Sequence, residues 1–240
     1  MKKLYIIKTG TTFPDTLKQL GDFDAWTRAA LGETATDICI LDVERGAPLP
    51  AAADCAGVVI TGAHSMVTDE LPWSVALEKW IPSLLAAGMP FLGICYGHQL
   101  LARAAGGPVG LHPRGQEIGS VAVERLDIAR QDSLFKYLPA SFSAQVTHAQ
   151  SVLALPSGAI RLAANSHEFN HAFRLGARAW GVQFHPEFTP DIMRAYIREQ
   201  VVALTAAGME IKSLLQAVVP TPEAGNVLRE FARVVEGQFG

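Results

Sequence analysis

Apolar runs of four to six residues recur along the first hundred residues, each closed by glycine or a polar turn, with longer stretches of helical period between them. Leu4–Lys8 reads as a buried strand, and residues 13–31 as one helix with Leu17, Leu20, Phe23, Trp26 and Ala30 inward. Asp37–Leu41 and Gly57–Ile60 are further strands, the latter ending at Thr61-Gly62-Ala63. Residues 72–87 are helical and stop at Gly88, a residue suited to the position after a helix end. Pro90–Ile94 is the next strand, and a helix runs from Gly97 to about Ala105. Strands alternating with helices imply right-handed crossovers and a parallel sheet covered on both faces.

Beyond Pro108 the rhythm changes. Ser120–Glu124, Ala144–Thr147, Val152–Leu155, Ile160–Ala164 and His171–Leu175 are short strand candidates without long helices between them. They predict a small antiparallel layer beside the parallel sheet. Ala179–Phe184 returns to that sheet and ends at His185. Thr189-Pro190-Asp191 carries the marks of a helix start: a capping hydroxyl, proline in the first turn and an acidic residue after it. Ile192, Met193, Tyr196, Ile197, Val201 and Leu204 continue it with helical spacing. A last helix begins at Thr221-Pro222-Glu223, with Val227, Leu228, Phe231, Val234 and Val235 on one face. The predicted fold class is α/β: a mostly parallel, doubly wound sheet of flavodoxin-like or Rossmann-like type. A domain over 1–205 carries a helical extension over 206–240 packed on it.

Composition narrows the function classes. With 240 residues, 49% hydrophobic and 18% charged, the chain can bury a sizeable core. A net charge of -3 without basic runs argues against nucleic acid or an anionic membrane as partner. Lys8 cuts the N-terminal apolar run at four residues, too short for a signal sequence. Three cysteines, Cys39, Cys55 and Cys95, form no close pair, which suits a reducing, cytoplasmic setting. No metal-ligand spacing occurs, and neither metal nor cofactor is expected.

The chemistry centres on Gly93-Ile94-Cys95-Tyr96-Gly97, where a strand passes directly into a helix. Two glycines flanking a nucleophile allow the sharp turn that lifts one side chain above a sheet. About ninety residues on, Gln183-Phe184-His185-Pro186-Glu187 offers an imidazole at a strand end with a carboxylate two positions later. A thiol titrates near ~8.5 when free, so a neighbouring imidazole is needed to hold the thiolate and protonate a leaving amine. Glu187 would fix the tautomer. The backbone N–H groups of Tyr96 and Ala63 are the candidate oxyanion donors. Cys39 and Cys55 read as core fillers. His98 reads as structural, and His64, His112, His167 and His171, in loop or strand-edge settings, as non-catalytic.

These paired motifs resemble the class I (triad) glutamine amidotransferases, above all the glutaminase domain of GMP synthetases, over roughly residues 40–200. The resemblance implies Cys95 as nucleophile, His185 as base and acid, and Glu187 as the orienting carboxylate. It implies hydrolysis of the side-chain amide of L-glutamine through a γ-glutamyl thioester, with ammonia released. Substrate would be held by Gly62, Gln99, Thr147, Ala149 and Gln150. The family's second oxyanion glycine is Ala63 here, and its His-Gly-Asp is His148-Ala149-Gln150. No phosphate loop or ATP-pyrophosphatase motif follows residue 200, so the ammonia is expected to go to a synthetase subunit in trans or to be released. Two alternatives stand beside this reading: hydrolysis of γ-glutamyl peptides or amides by the same triad, and a catalytically silent binding module.

Overall fold

A computed structural model describes residues 2–237; the outermost residues of the two expected segments, 1 and 238–240, lie outside them. The elements run β1 (Lys3–Lys8), α1 (Pro14–Leu20), α2 (Phe23–Leu31), β2 (Ile38–Asp42), β3 (Cys55–Ile60), α3 (Pro72–Ala86), β4 (Phe91–Ile94) and α4 (Tyr96–Ala104). They continue with β5 (Val109–Leu111), β6 (Glu117–Arg125), β7 (Ser141–His148), β8 (Gln150–Val152), β9 (Ala159–Ala164), β10 (Ala172–Leu175) and β11 (Ala179–Val182). Four helices close the chain: α5 (Pro190–Glu199), α6 (Val201–Ala206), α7 (Ile211–Ala217) and α8 (Pro222–Val235).

Nine strands form one sheet in the order β2-β1-β3-β4-β11-β10-β9-β6-β7. Its first five are mutually parallel. From β11 onward every neighbour is antiparallel. The antiparallel strands therefore extend the parallel sheet edge to edge, and the separate small antiparallel layer is the pair β5–β8. The α/β architecture expected from the strand–helix alternation is present.

Some elements differ from the expectation for local reasons. The helix foreseen over 13–31 is two, because Gly21 adopts φ 87° and the extended Asp22 caps α2 by accepting from Phe23 N–H. Leu17 and Leu20 consequently face solvent, 41% and 36% exposed, while Phe23 and Trp26 are buried. The strand expected at 152–155 lies at Gln150–Val152, where it pairs with β5. The helix starting at Thr189, whose hydroxyl caps Ile192 N–H, breaks at Gln200 into α5 and α6. Helix α7 has too short an apolar period to be seen in the sequence.

The core lies on both sheet faces. Leu4, Ile6, Val59, Leu92, Trp180 and Val182 pack with Val227, Leu228 and Phe231, so α8 covers one face. Ile7, Val58, Ile60 and Phe91 pack with Leu77, Ile81, Leu84 and Leu100 of α3 and α4 on the other. Each fully buried side chain of this size contributes about 1.5–3 kcal/mol. This two-sided packing leaves the carboxyl ends of β1, β3, β4 and β11 side by side. Ligands bind at such an edge in open α/β sheets.

Candidate active site

Cys95 lies between β4 and α4, the last bond of the ladder being Cys95 N–H to the Val182 carbonyl at 2.8 Å. Its backbone adopts φ 49° and ψ -95°, a conformation that costs a non-glycine residue ~1–3 kcal/mol and that the packing around it must hold. The flanking glycines are obligatory for space. A Cβ on Gly93 would stand 2.2 Å from the Gly97 carbonyl oxygen, and one on Gly97 2.5 Å from that of Ile60. The turn thus packs backbone on backbone, and the thiol emerges at the N-terminus of α4, where helix polarity favours negative charge. The sulfur is buried, 3.8 Å from the Thr147 carbonyl oxygen.

His185 follows β11 by three residues. Its N–H leaves the neighbouring strand and bonds to the Gln145 carbonyl of β7 at 2.8 Å. Nδ1 meets Glu187 Oε1 at 2.8 Å, and the ring stacks on Phe188 with centroids 4.1 Å apart. Nε2 is buried and makes no hydrogen bond, while the Cys95 thiol lies near enough to act on the ring electrostatically. Burial pulls the imidazole pKa down. The Glu187 carboxylate and the neighbouring Cys95 outweigh that and raise it to about 10. Gly62 sits against the pair: a Cβ there would lie 2.8 Å from His185 Cε1 and 3.7 Å from Cys95 Cβ.

A cavity of about 650 Å³ opens in front of this thiol, and Ala63, Tyr96, Gln99, Thr147, Ala149 and Gln150 all line it. Among the described residues, neither Ala63 N–H nor Tyr96 N–H donates to a protein acceptor. Gln99 uses its amide nitrogen on the Gln150 carbonyl (2.8 Å) and Gln183 Oε1 (3.0 Å), so only its carbonyl oxygen remains uncommitted. Gln150 donates to Thr68 Oγ1, and its own Oε1 is buried without a partner. Gly62 and Glu187 stand behind the lining, supporting it.

Some residues of the site escaped the sequence reading. His64, a loop histidine, lines the cavity, and its Nε2 lies 3.2 Å from the Tyr196 hydroxyl. Burial, then the charge of His185, lowers its pKa. Its place directly after the Thr61-Gly62-Ala63 turn was the available signal. Glu199 and Gln200 of the α5–α6 junction also line the cavity, with no motif to announce them.

A second histidine–carboxylate cluster adjoins the cavity through His148, which lines it. Glu117 Oε2 is 3.0 Å from His148 Nε2 and 3.3 Å from His171 Nε2, and its Oε1 accepts from Asn165 at 2.8 Å. His171 is fully buried immediately before β10. Burial opposes the Glu117 charge, but the His148 bond, the nearby His171 ring and the Asn165 amide prevail and hold its pKa well below the usual carboxylate range.

The sequence model of the family "Glutamine amidotransferase class-I" matches residues 26–204. Over 142 residues the chain is 39% identical to GMP synthase [glutamine-hydrolyzing] of Aeropyrum pernix, 59% of this chain against 25% of that one. It is 30% identical over 139 residues to gamma-glutamyl peptidase 4 of Arabidopsis thaliana, 57% of this chain and 55% of that one. The chain thus spans about a quarter of the GMP synthases it matches and about half of the peptidase. Among solved structures, a glutamine amidotransferase from Thermotoga maritima superposes with a TM-score of 0.76 at 21% identity, covering 98% of both chains.

Proposed function

We infer the reaction from the premise that the chain belongs to the class I glutamine amidotransferase family, and propose that it hydrolyses the side-chain amide of L-glutamine on Cys95, releasing ammonia. One observation carries this reading. An imidazole pinned at Nδ1 by a carboxylate 2.8 Å away leaves a buried, unbonded Nε2 beside a thiol on a strained strand–helix turn.

In the proposed mechanism the Cys95 thiolate, paired with the His185 imidazolium, attacks the amide carbon. The tetrahedral oxygen takes its two donors from Tyr96 and Ala63 N–H, each worth about 3 kcal/mol in such sites. His185 Nε2 hands its proton to the leaving nitrogen, the C–N bond breaks, and a γ-glutamyl thioester remains. Water, deprotonated by the now neutral His185, hydrolyses it and returns the thiol. Glu187 keeps the ring in one orientation through both halves. Gln150 Oε1, the buried acceptor without a partner, receives the substrate ammonium, with Gln99, Thr147 and Ala149 lining the pocket around it and Gly62 behind them. The ammonia passes to a synthetase-type subunit in trans or is released.

A second reading rests on the cavity. Its 650 Å³ lies within the ~300–1,000 Å³ range of sites for drug-sized ligands, more than free glutamine fills. Met66, Val202, Ala203 and Ala206 give it an apolar wall. A γ-glutamyl peptide or amide with an apolar leaving group fits that wall, on the same triad. Ammonia release from glutamine is to be compared with hydrolysis of γ-glutamyl anilide and γ-glutamyl dipeptides by the wild type and Cys95→Ala. The glutaminase reading expects turnover of glutamine that vanishes in the variant. Peptide turnover without glutamine turnover replaces it with the second reading; activity surviving in Cys95→Ala contradicts both.

A further inference from the structure

The loop after β1 contains no residue of the triad, yet it holds the turn that carries one oxyanion donor. The β1–β3 ladder ends with Thr61 N–H on the Ile7 carbonyl at 3.1 Å. Beyond it two fully buried threonines join the loops. Thr9 N–H donates to Thr61 Oγ1 at 3.2 Å, and the two hydroxyl oxygens are 3.1 Å apart. Thr9 Oγ1 also reaches the Thr61 carbonyl at 3.1 Å and the Gly62 carbonyl at 3.0 Å. Thr61 Oγ1 meets the same Gly62 carbonyl at 3.0 Å. Two hydroxyls therefore converge on one carbonyl oxygen.

A trans peptide points its C=O and its N–H in opposite directions. Tying the Gly62 oxygen back toward β1 thus turns the Ala63 N–H away from it, on the residue that lines the cavity. Among the described residues no acceptor binds that N–H. The peptide is otherwise free to rotate, because Gly62 has no side chain and cannot acquire one beside His185. Gly10 completes the contact: a Cβ added there would lie 3.3 Å from Ala63 Cβ.

We propose that Thr9, backed by Thr61, is a positioning residue that locks the Gly62–Ala63 peptide with its N–H toward the oxyanion. The proposal rests on the amide-hydrolysis reading above, since it assigns Thr9 to a step of that reaction. Thr9→Val keeps the shape and removes the hydroxyl; Thr9→Ser keeps the hydroxyl.

The test measures kcat and KM with glutamine and γ-glutamyl anilide, beside the rate at which iodoacetamide alkylates Cys95, read at its own peptide. Alkylation needs the thiolate but forms no oxyanion. In Thr9→Val we expect kcat to fall roughly tenfold to thirtyfold, short of the ~10²–10³ of a deleted donor because Thr61 Oγ1 remains. KM and the alkylation rate stay within twofold, and Thr9→Ser recovers most of kcat. Unchanged kcat in Thr9→Val overturns the proposal. So does a parallel fall in alkylation, which marks general distortion of the site. A wild type that alkylates at Cys95 but hydrolyses neither substrate removes the parent reading, and the proposal with it.

Discussion

Two buried histidine–carboxylate groups, built from the same residue types, stand beside one cavity and differ in how their rings are engaged. In one, Glu117 pairs with His148, lies 3.3 Å from His171 and accepts from Asn165, and His148 spends its other ring nitrogen on the Gln150 carbonyl at 3.0 Å. In the other, Glu187 holds only Nδ1 of His185 and leaves Nε2 unbonded beside a thiol. A ring with both nitrogens engaged fixes the strand it sits on; a ring with one free nitrogen can take and give a proton. Burial of an ionic group is thus weak evidence of catalysis, whereas an unsatisfied nitrogen facing a nucleophile is a strong one.

This contrast is open to attack by mutation. The largest effect belongs to Cys95→Ala and His185→Ala, each expected to lower kcat by at least ~10⁴-fold, with Cys95→Ala melting close to wild type and His185→Ala melting lower because Glu187 loses its buried partner. Steady-state assay with thermal melting checks both halves. Glu187→Gln keeps the size of the side chain but weakens the hold on the imidazolium. We expect kcat to fall roughly 10³-fold with little change in KM. A variant that is inactive because it is unfolded would move Glu187 into the class of Glu117.

For Glu117→Gln the order of effects reverses. Breaking a buried ionic network costs about 3 kcal/mol of stability, while the triad itself is untouched. Denaturant unfolding is expected to show the larger change and kcat the smaller. The two groups also part in their pH windows. Glu117 has its pKa depressed from 4.5, so its contribution is complete above that value and is lost as pH falls through the lower folded pKa. His185 is raised from 6.5 to about 10, so its contribution is complete below 6.5 and is lost as pH rises through 10. Melting temperature against pH should therefore lose part of its acid slope in Glu117→Gln and part of its alkaline slope in His185→Ala. Identical slopes in both variants would erase the distinction.

The two groups were not equally legible. The turn at Cys95 is written in five consecutive residues, because backbone packing demands glycine at both 93 and 97. The His185–Glu187 contact is also local, two residues apart. Glu117, His148, Asn165 and His171 come together only through β6, β7 and the chain leading into β10, over more than fifty residues, and no spacing rule announces them. The break at Gly21-Asp22 was hidden by the apolar period running through it. Gln99 lines the cavity, and its commitment to the Gln150 carbonyl of β8 and to the Gln183 side chain just beyond β11 depends on two distant parts of the chain.

The central claim is that Cys95 is the residue that becomes acylated. Mass spectrometry of the protein treated with 6-diazo-5-oxo-L-norleucine, an electrophilic glutamine analogue, tests it most directly. The expected result is one adduct per chain on the Cys95 peptide, blocked by excess glutamine and greatly slowed in His185→Ala. An adduct on Cys39 or Cys55, or full glutamine hydrolysis with Cys95 replaced by alanine, would contradict the account.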